Sequence, residues 1–149
     1  FLKKRGGERY GMELKNVSRK RDTFGLVRSA EFVFKNTGNV HIAPRGVVLL
    51  LDPKDRLVAK GIVNEASSLV LPGAERTFPV TLSPVETAWI PGKYHLRSSY
   101  RYDGKEEYEI REESIIIVPS RFLAVLLGVL TLLICGWVLK KQLKKGKIQ

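Results

Sequence analysis

The stretch Tyr94-His95-Leu96-Arg97-Ser98-Ser99-Tyr100-Arg101-Tyr102-Asp103-Gly104 decides the reading of this chain. Tyr94, Leu96, Ser98, Tyr100 and Tyr102 alternate against His95, Arg97, Ser99 and Arg101. A period of two is that of a β-strand, whose side chains point alternately to opposite faces. Asp103-Gly104 follows at once and is a strong signal for a two-residue hairpin turn. The chain therefore returns, from about Glu106 to Val118. Its alternation slips between Ile110 and Ile115, which predicts a bulge or bend near Glu112.

The same rhythm extends upstream. Ala30, Phe32 and Phe34 share one face, and Asn36-Thr37-Gly38-Asn39 is a turn cluster. Gly46 to Leu51 is a continuous apolar run, suited to a central strand. Asp52-Pro53-Lys54-Asp55, Pro72-Gly73 and Pro91-Gly92 punctuate the rest, and Phe78, Val80 and Leu82 alternate inward. Residues 84–90 have room for one helical turn. About seven short strands make the fold class all-β, an immunoglobulin-like β-sandwich. Cys135 is the one cysteine and lies in an apolar run, so packing alone must hold the domain.

That apolar run, Phe122 to Leu139, is uncharged over 18 residues. As a helix it spans roughly 27 Å, close to the thickness of a bilayer's hydrocarbon core. The fold class is therefore completed by a single transmembrane α-helix. Arg121 marks its outer edge, and Lys140, Lys141, Lys144, Lys145 and Lys147 follow it. The positive-inside rule puts the lysines in the cytoplasm, in contact with anionic lipid, and the sandwich outside. Ala124 and Gly128 form a small-xxx-small pair, and Gly136 continues that face two turns later, spacing that would let a partner helix approach closely. The chain divides into 1–7, read as the end of an upstream segment, 8–119 as the sandwich, 120–139 as the membrane helix and 140–149 as a basic tail.

The net charge is +11, but residues 1–120 carry 20 bases against 15 acids, so over half of the excess flanks the helix. That distribution argues against nucleic acid, whose binding needs a basic stripe on a folded surface. Arg19, Lys20 and Arg21 read as a basic loop, a candidate site for phosphate-rich envelope polymers or lipid headgroups. Lys3 to Arg28 holds nine bases and three acids, and Asp103 to Glu113 six acids and two bases. Side-by-side first and last strands would let these segments pair, with Glu106, Glu107 and Glu109 as the acids that matter.

Catalysis requires a nucleophile with its base, paired carboxylates or a metal cluster. His41 and His95 each lack a Cys or carboxylate at ligand spacing, and Glu106-Glu107 and Glu112-Glu113 are adjacent, so strand geometry sends each pair to opposite faces. No Gly-rich loop opens a helix. The expectation is a non-enzyme with no cofactor and no metal. Asn16-Val17-Ser18 is a formal glycosylation sequon, read as chance.

Asn36-Thr37-Gly38-Asn39-Val40-His41 with Pro44 and Gly46, Val70-Leu71-Pro72-Gly73 with Arg76 and Phe78, and Pro91-Gly92-Lys93-Tyr94 occur in this order ahead of the helix. The set resembles the membrane-proximal part of prokaryotic cell-surface proteins related to the WxL-interacting family. The resemblance covers roughly residues 1–145 and implies an upstream sandwich domain ending at Phe1 to about Lys4. It also implies a role in cell-wall or partner-protein binding. Tyr94 would serve as a tyrosine corner, and Gly38 and Gly46 would suit positive φ or close backbone approach. The expected function is a non-catalytic, membrane-anchored extracytoplasmic module for binding or scaffolding at a prokaryotic cell envelope. It would take an envelope glycopolymer or envelope protein on its membrane-distal loops. The alternative is an accessory subunit of a membrane complex, assembled through its helix, with the sandwich as spacer.

Overall fold

A computed structural model describes residues 7–22, 25–88 and 90–145, with side chains as far as 141. The strands are β1 (Met12–Arg21), β2 (Val27–Asn36), β3 (Arg45–Leu51), β4 (Leu57–Val63), β5 (Glu75–Thr81), the two-residue β6 (Ser83–Pro84), β7 (Gly92–Arg101) and β8 (Glu109–Ile117). Helix α1 (Ser120–Lys145) follows. The strands form two antiparallel sheets, β1-β2-β5 and β6-β4-β3-β7-β8. The chain crosses between sheets after β2 and returns for β5, which gives an immunoglobulin-like sandwich. The expected Phe1 to Lys4 strand lies outside the described residues, as do Lys147 and the side chains of Lys144 and Lys145.

Alternation builds the core. β2 contributes Ala30, Phe32 and Phe34 and β5 contributes Phe78 and Val80. The facing sheet supplies Val48 and Leu50 from β3 and Tyr94, Leu96 and Tyr100 from β7. Phe34 is fully buried and lies 5.2 Å from the Tyr100 ring, 5.9 Å from Phe78 and 6.1 Å from Phe32, centroid to centroid. Such ring pairs add roughly 0.5–1.5 kcal/mol each beyond the area they bury.

Tyr94 forms the tyrosine corner: its hydroxyl donates to the carbonyl of Ile90 at 2.7 Å. Gly38 and Gly46 are required by close approach. A Cβ at Gly46 would strike the carbonyl oxygen of Ser99 on β7, and one at Gly38 the carbonyl oxygen of Arg9. Neither needs a positive φ.

Three expectations fail. Residues 84–90 make no helical turn among those described, because Ser83 and Pro84 pair with β4 and the N–H groups of Val85 and Glu86 donate to Val58. No bulge occurs near Glu112, since the β7–β8 register runs unbroken from Gly92↔Ile117 to Tyr100↔Glu109. The apparent slip arises because Ile110 and Ile116 point outward, 65% and 77% exposed, while Glu109, Arg111 and Glu113 take the inward phase with Ile115 and Ile117. Register shifts occur elsewhere, between Leu50 and Leu51 in the β3–β4 pairing and on β1 between Lys20 and Arg21 and between Leu14 and Asn16. That shift puts both Leu14 and Val17 toward the core.

The third correction concerns the charged segments. β1 and β8 edge different sheets and are not ladder partners. They meet through side chains: Arg19 on the inner face of β1 forms an ion pair with Glu113 on the inner face of β8. Glu109 pairs instead with Lys105 at 2.7 Å, within its own hairpin. Inward charges on edge strands also discourage pairing with a foreign strand.

Two outcomes follow for stability. Tyr94→Phe leaves the Ile90 carbonyl without its donor and should cost about 1–2 kcal/mol in denaturant unfolding. A double-mutant cycle on Arg19→Ala and Glu113→Ala should return a coupling of about 0.5–1 kcal/mol, reduced by salt, as befits a partly exposed pair. Charge reversal at Glu106 and Glu107 should leave stability nearly unchanged.

Candidate functional site

Three regions carry groups able to contact a ligand: the membrane-facing end of the sandwich, the distal loops, and the outer face of the five-stranded sheet. The membrane-facing end is fixed by covalent geometry. Only Val118 and Pro119 separate β8 from α1, and the N–H groups of Phe122 and Leu123 donate to the Pro119 carbonyl, at 3.1 and 3.3 Å. From Ser120 to Lys141 the helix is long and apolar enough to cross a membrane, and none of that span is buried against the sandwich. The β1–β2 link, the Asp52–Arg56 turn and the crossover after β6 lie at this same end.

Polar clamps shape these links. Asp22 accepts from the N–H of Leu26 at 2.9 Å and holds Arg28 at 3.3 Å. Asp52 is buried and accepts from the N–H groups of Lys54 and Arg56 and from the Arg56 guanidinium, at 2.8–2.9 Å. Burial pushes the Asp52 carboxyl up, but these bonds outweigh it and hold its pKa below the ordinary value. Between the links opens a cleft of about 560 Å³. Its floor includes Leu26, Leu82 and Ile117, and its rim Arg28, Glu86 and Arg121.

The three basic residues singled out in the sequence lie here, on the last residues of β1 rather than on a loop. The strand separates them. Arg19 points inward to Glu113, Lys20 points outward to Glu31 at 3.4 Å, and Arg21 is exposed at the strand's end. They do not converge as one anion site. Arg121 joins the cleft rim, and Lys140 and Lys141 lie at the far end of the helix, where Lys141 sits 5.1 Å over the Trp137 ring. Ala124 and Gly128 stand one turn apart on an exposed helix face, and nothing packs on Gly128 or Gly136. Gly136 does not continue that face as expected: eight residues along α1 it is rotated about 80° from Gly128.

The distal loops are pinned by buried amides. Asn36 donates to the carbonyls of Val40 and Val70 and accepts from the N–H of Gly38, at 2.8–2.9 Å. Asn64 does the same for Pro44 and Ser68, from a left-handed φ of 56°. Asp103 accepts from the N–H of Ala43 at 3.0 Å. The shallow hollow beside it, about 350 Å³, mixes Arg45, Arg101 and Lys105 with Asp103 and Glu106.

The outer face of the five-stranded sheet was not anticipated. Register aligns Ile62, Val47, Ser99 and Ile110 across four strands, and Ile62, Val47 and Ile110 are 54%, 42% and 65% exposed. Tyr108 extends this row, with Arg101 5.1 Å over its ring, and a groove of about 430 Å³ runs beside Val47, Ile62 and Tyr108. Next to this row, Glu112 accepts from Arg97 at 3.1 Å and meets His95 Nδ1 at 2.9 Å. The Arg97 bond, together with the charges of Arg97 and His95, outweighs desolvation and lowers the Glu112 pKa. The sequence signal for this face was Ile110 itself, an apolar residue out of phase with its strand.

His41 is exposed and lies on a different part of the fold from His95. Among the described residues no three His, Cys, Asp or Glu side chains come together to hold a metal.

Asp52 supplies a test by pH. A carboxyl whose pKa is depressed on folding adds stability above its unfolded value of 3.8, and that stability is lost as pH falls through the lower folded value. Asp52→Asn should therefore lower the melting temperature at neutral pH and shrink the further loss between about pH 5 and about pH 2, measured by fluorescence melts.

No known family model matches this chain, and no curated protein is significantly similar to it.

Proposed function

We propose that this chain is a non-catalytic, membrane-anchored extracytoplasmic module that binds a protein partner at a prokaryotic cell envelope. The observation that carries the reading is the exposed row Ile62, Val47 and Ile110 with Tyr108. An apolar centre with a charged rim is the anatomy of a protein–protein contact. A glycopolymer would be met by polar and charged groups instead, and the row offers few. The rim, with Arg45, Arg97, Arg101 and Glu112, gives such a partner both signs of charge to match. The resemblance to proteins related to the WxL-interacting family points the same way. The lysine-rich end of α1 supports a cytoplasmic C-terminus, by the positive-inside rule.

The accessory-subunit reading rests on Ala124 and Gly128, which leave an exposed helix face that a second helix could approach. The two readings separate in one experiment. A photo-crosslinking residue is placed in turn at Val47, Ile62 and Ile110, and at Lys35 on the other sheet as control, in the full chain in its own membrane. The expected result is one common adduct from the first three positions and none from Lys35. Binding of that purified partner should fall at least about tenfold with Ile62→Asp and Ile110→Asp, the loss of two buried apolar anchors. It should survive replacement of 122–139 by a Leu/Ala helix. Loss on helix replacement alone would favour the accessory subunit, and absence of adducts at all three positions would sink the sheet-face reading.

A further inference from the structure

We infer that the cleft at the foot of the sandwich is a receptor for the headgroup of an anionic phospholipid, phosphatidylglycerol in chemical type. The inference goes beyond the partner contact above and rests only on α1 entering a bilayer.

Position comes first. Ser120 and Arg121 line the cleft, and Phe122 begins the apolar run. Each headgroup layer is roughly 5–8 Å deep. One helical residue rises about 1.5 Å, so a rim at Arg121 lies within that layer. The cleft therefore opens where lipid phosphates are.

Chemistry comes second. Arg28 and Arg121 both line the cleft, and guanidinium forks match phosphate oxygens better than a point charge does. Arg28 is oriented by Asp22 yet its side chain remains 59% exposed, with donors to spare. Asp22 is itself engaged by the Leu26 N–H. Glu86 and Thr87, which also line the cleft, suit the hydroxyl donors of a glycerol headgroup, which a choline headgroup lacks. Leu26, Val58 and Leu82 offer an apolar floor to the glycerol carbons. The lining balances Arg28 and Arg121 against Asp22 and Glu86, and Arg21 at the end of β1 and Lys93 at the start of β7 add positive charge outside the cleft.

A lipid seated there joins the β1–β2 link, the crossover and the helix start. It holds the sandwich at a set tilt on the membrane and so directs the outer sheet face sideways, toward neighbours in the same envelope.

The test uses the full chain in nanodiscs containing equal phosphatidylglycerol and phosphatidylcholine, with retained lipid read by native mass spectrometry. Incorporation itself checks the anchor, and failure to incorporate would overturn both the anchor and this proposal. The expected result is one phosphatidylglycerol retained in preference to phosphatidylcholine by about tenfold. The charge-conserving double variant R28K/R121K should abolish that preference, while R21Q/K93Q, which removes two charges outside the cleft, should leave it within about twofold. Val85→Trp, which adds bulk to the cleft lining and leaves both arginines unmutated, should also abolish it and serves where R28K/R121K melts early. Equal retention of both lipids overturns the proposal. So does an equal loss in R21Q/K93Q, which would indicate a diffuse surface field, and so does full displacement by millimolar inorganic phosphate, which would mark a free-anion site.

Discussion

The contact between Phe34 on β2 and Tyr100 on β7 is where the two sheets of this domain are joined. No disulfide links them, since Cys135 is the one cysteine and lies on α1. Phe34 also touches Phe32 and Phe78, so the aromatic group ties β2 and β5 to the facing sheet. Full burial of a Phe side chain contributes roughly 1.5–3 kcal/mol, and a domain this size has only a few such increments to spare. The register of β2 against β1 and β5, and of β7 against β3 and β8, must keep these rings on the inner faces. A slip of one residue would expose them all.

The core alone does not fix the loops. Three buried polar side chains do that, each folding its link around its own hydrogen bonds: Asn36 and Asn64 at the distal end, Asp52 at the membrane-facing end. A buried amide or carboxylate without partners would cost about 1–3 kcal/mol, so each loop has one conformation that satisfies its clamp. The distal end is pinned twice, by Asn36 and Asn64. The membrane-facing end is pinned by Asp52 and Asp22 but keeps an open cleft where the crossover and the helix start diverge. Rigid loops with one deliberate gap are what a surface needs to bind one ligand there without reorganising.

Fold class was legible because alternation and turn chemistry act locally. Tyr94 to Tyr102 with Asp103-Gly104, and Ala30 to Phe34, declare strands without help from the rest of the chain. Where the reading failed, a longer-range cause was at work. The pattern near Ile110 looked like a broken strand because inward positions carry Glu109, Arg111 and Glu113. Those charges are tolerated since β8 is an edge strand and Glu113 meets Arg19 across the open side of the sandwich. Local period cannot distinguish a bulge from a regular edge strand with inverted polarity. The same ambiguity hid the outer face, because Val47 and Ile62 become neighbours of Ile110 only through the register of four strands.

The basic triplet shows the converse limit. Arg19, Lys20 and Arg21 are adjacent in sequence, and adjacency suggests a common site only if the backbone is a loop. In a strand it sends neighbours to opposite faces. The pair that lines one cleft, Arg28 and Arg121, is instead separated by most of the domain in sequence and brought together because β2 begins and β8 ends at the same end of the sandwich. The long apolar helix was legible from composition, yet its place against the sandwich was not. Only Val118 and Pro119 lie between β8 and α1, so the sandwich has little freedom to turn away from the start of the helix. An element as simple as an apolar helix thereby selects which end of the sandwich lies beside it, and leaves the outer face of the five-stranded sheet uncovered, with Val47, Ile62 and Ile110 exposed.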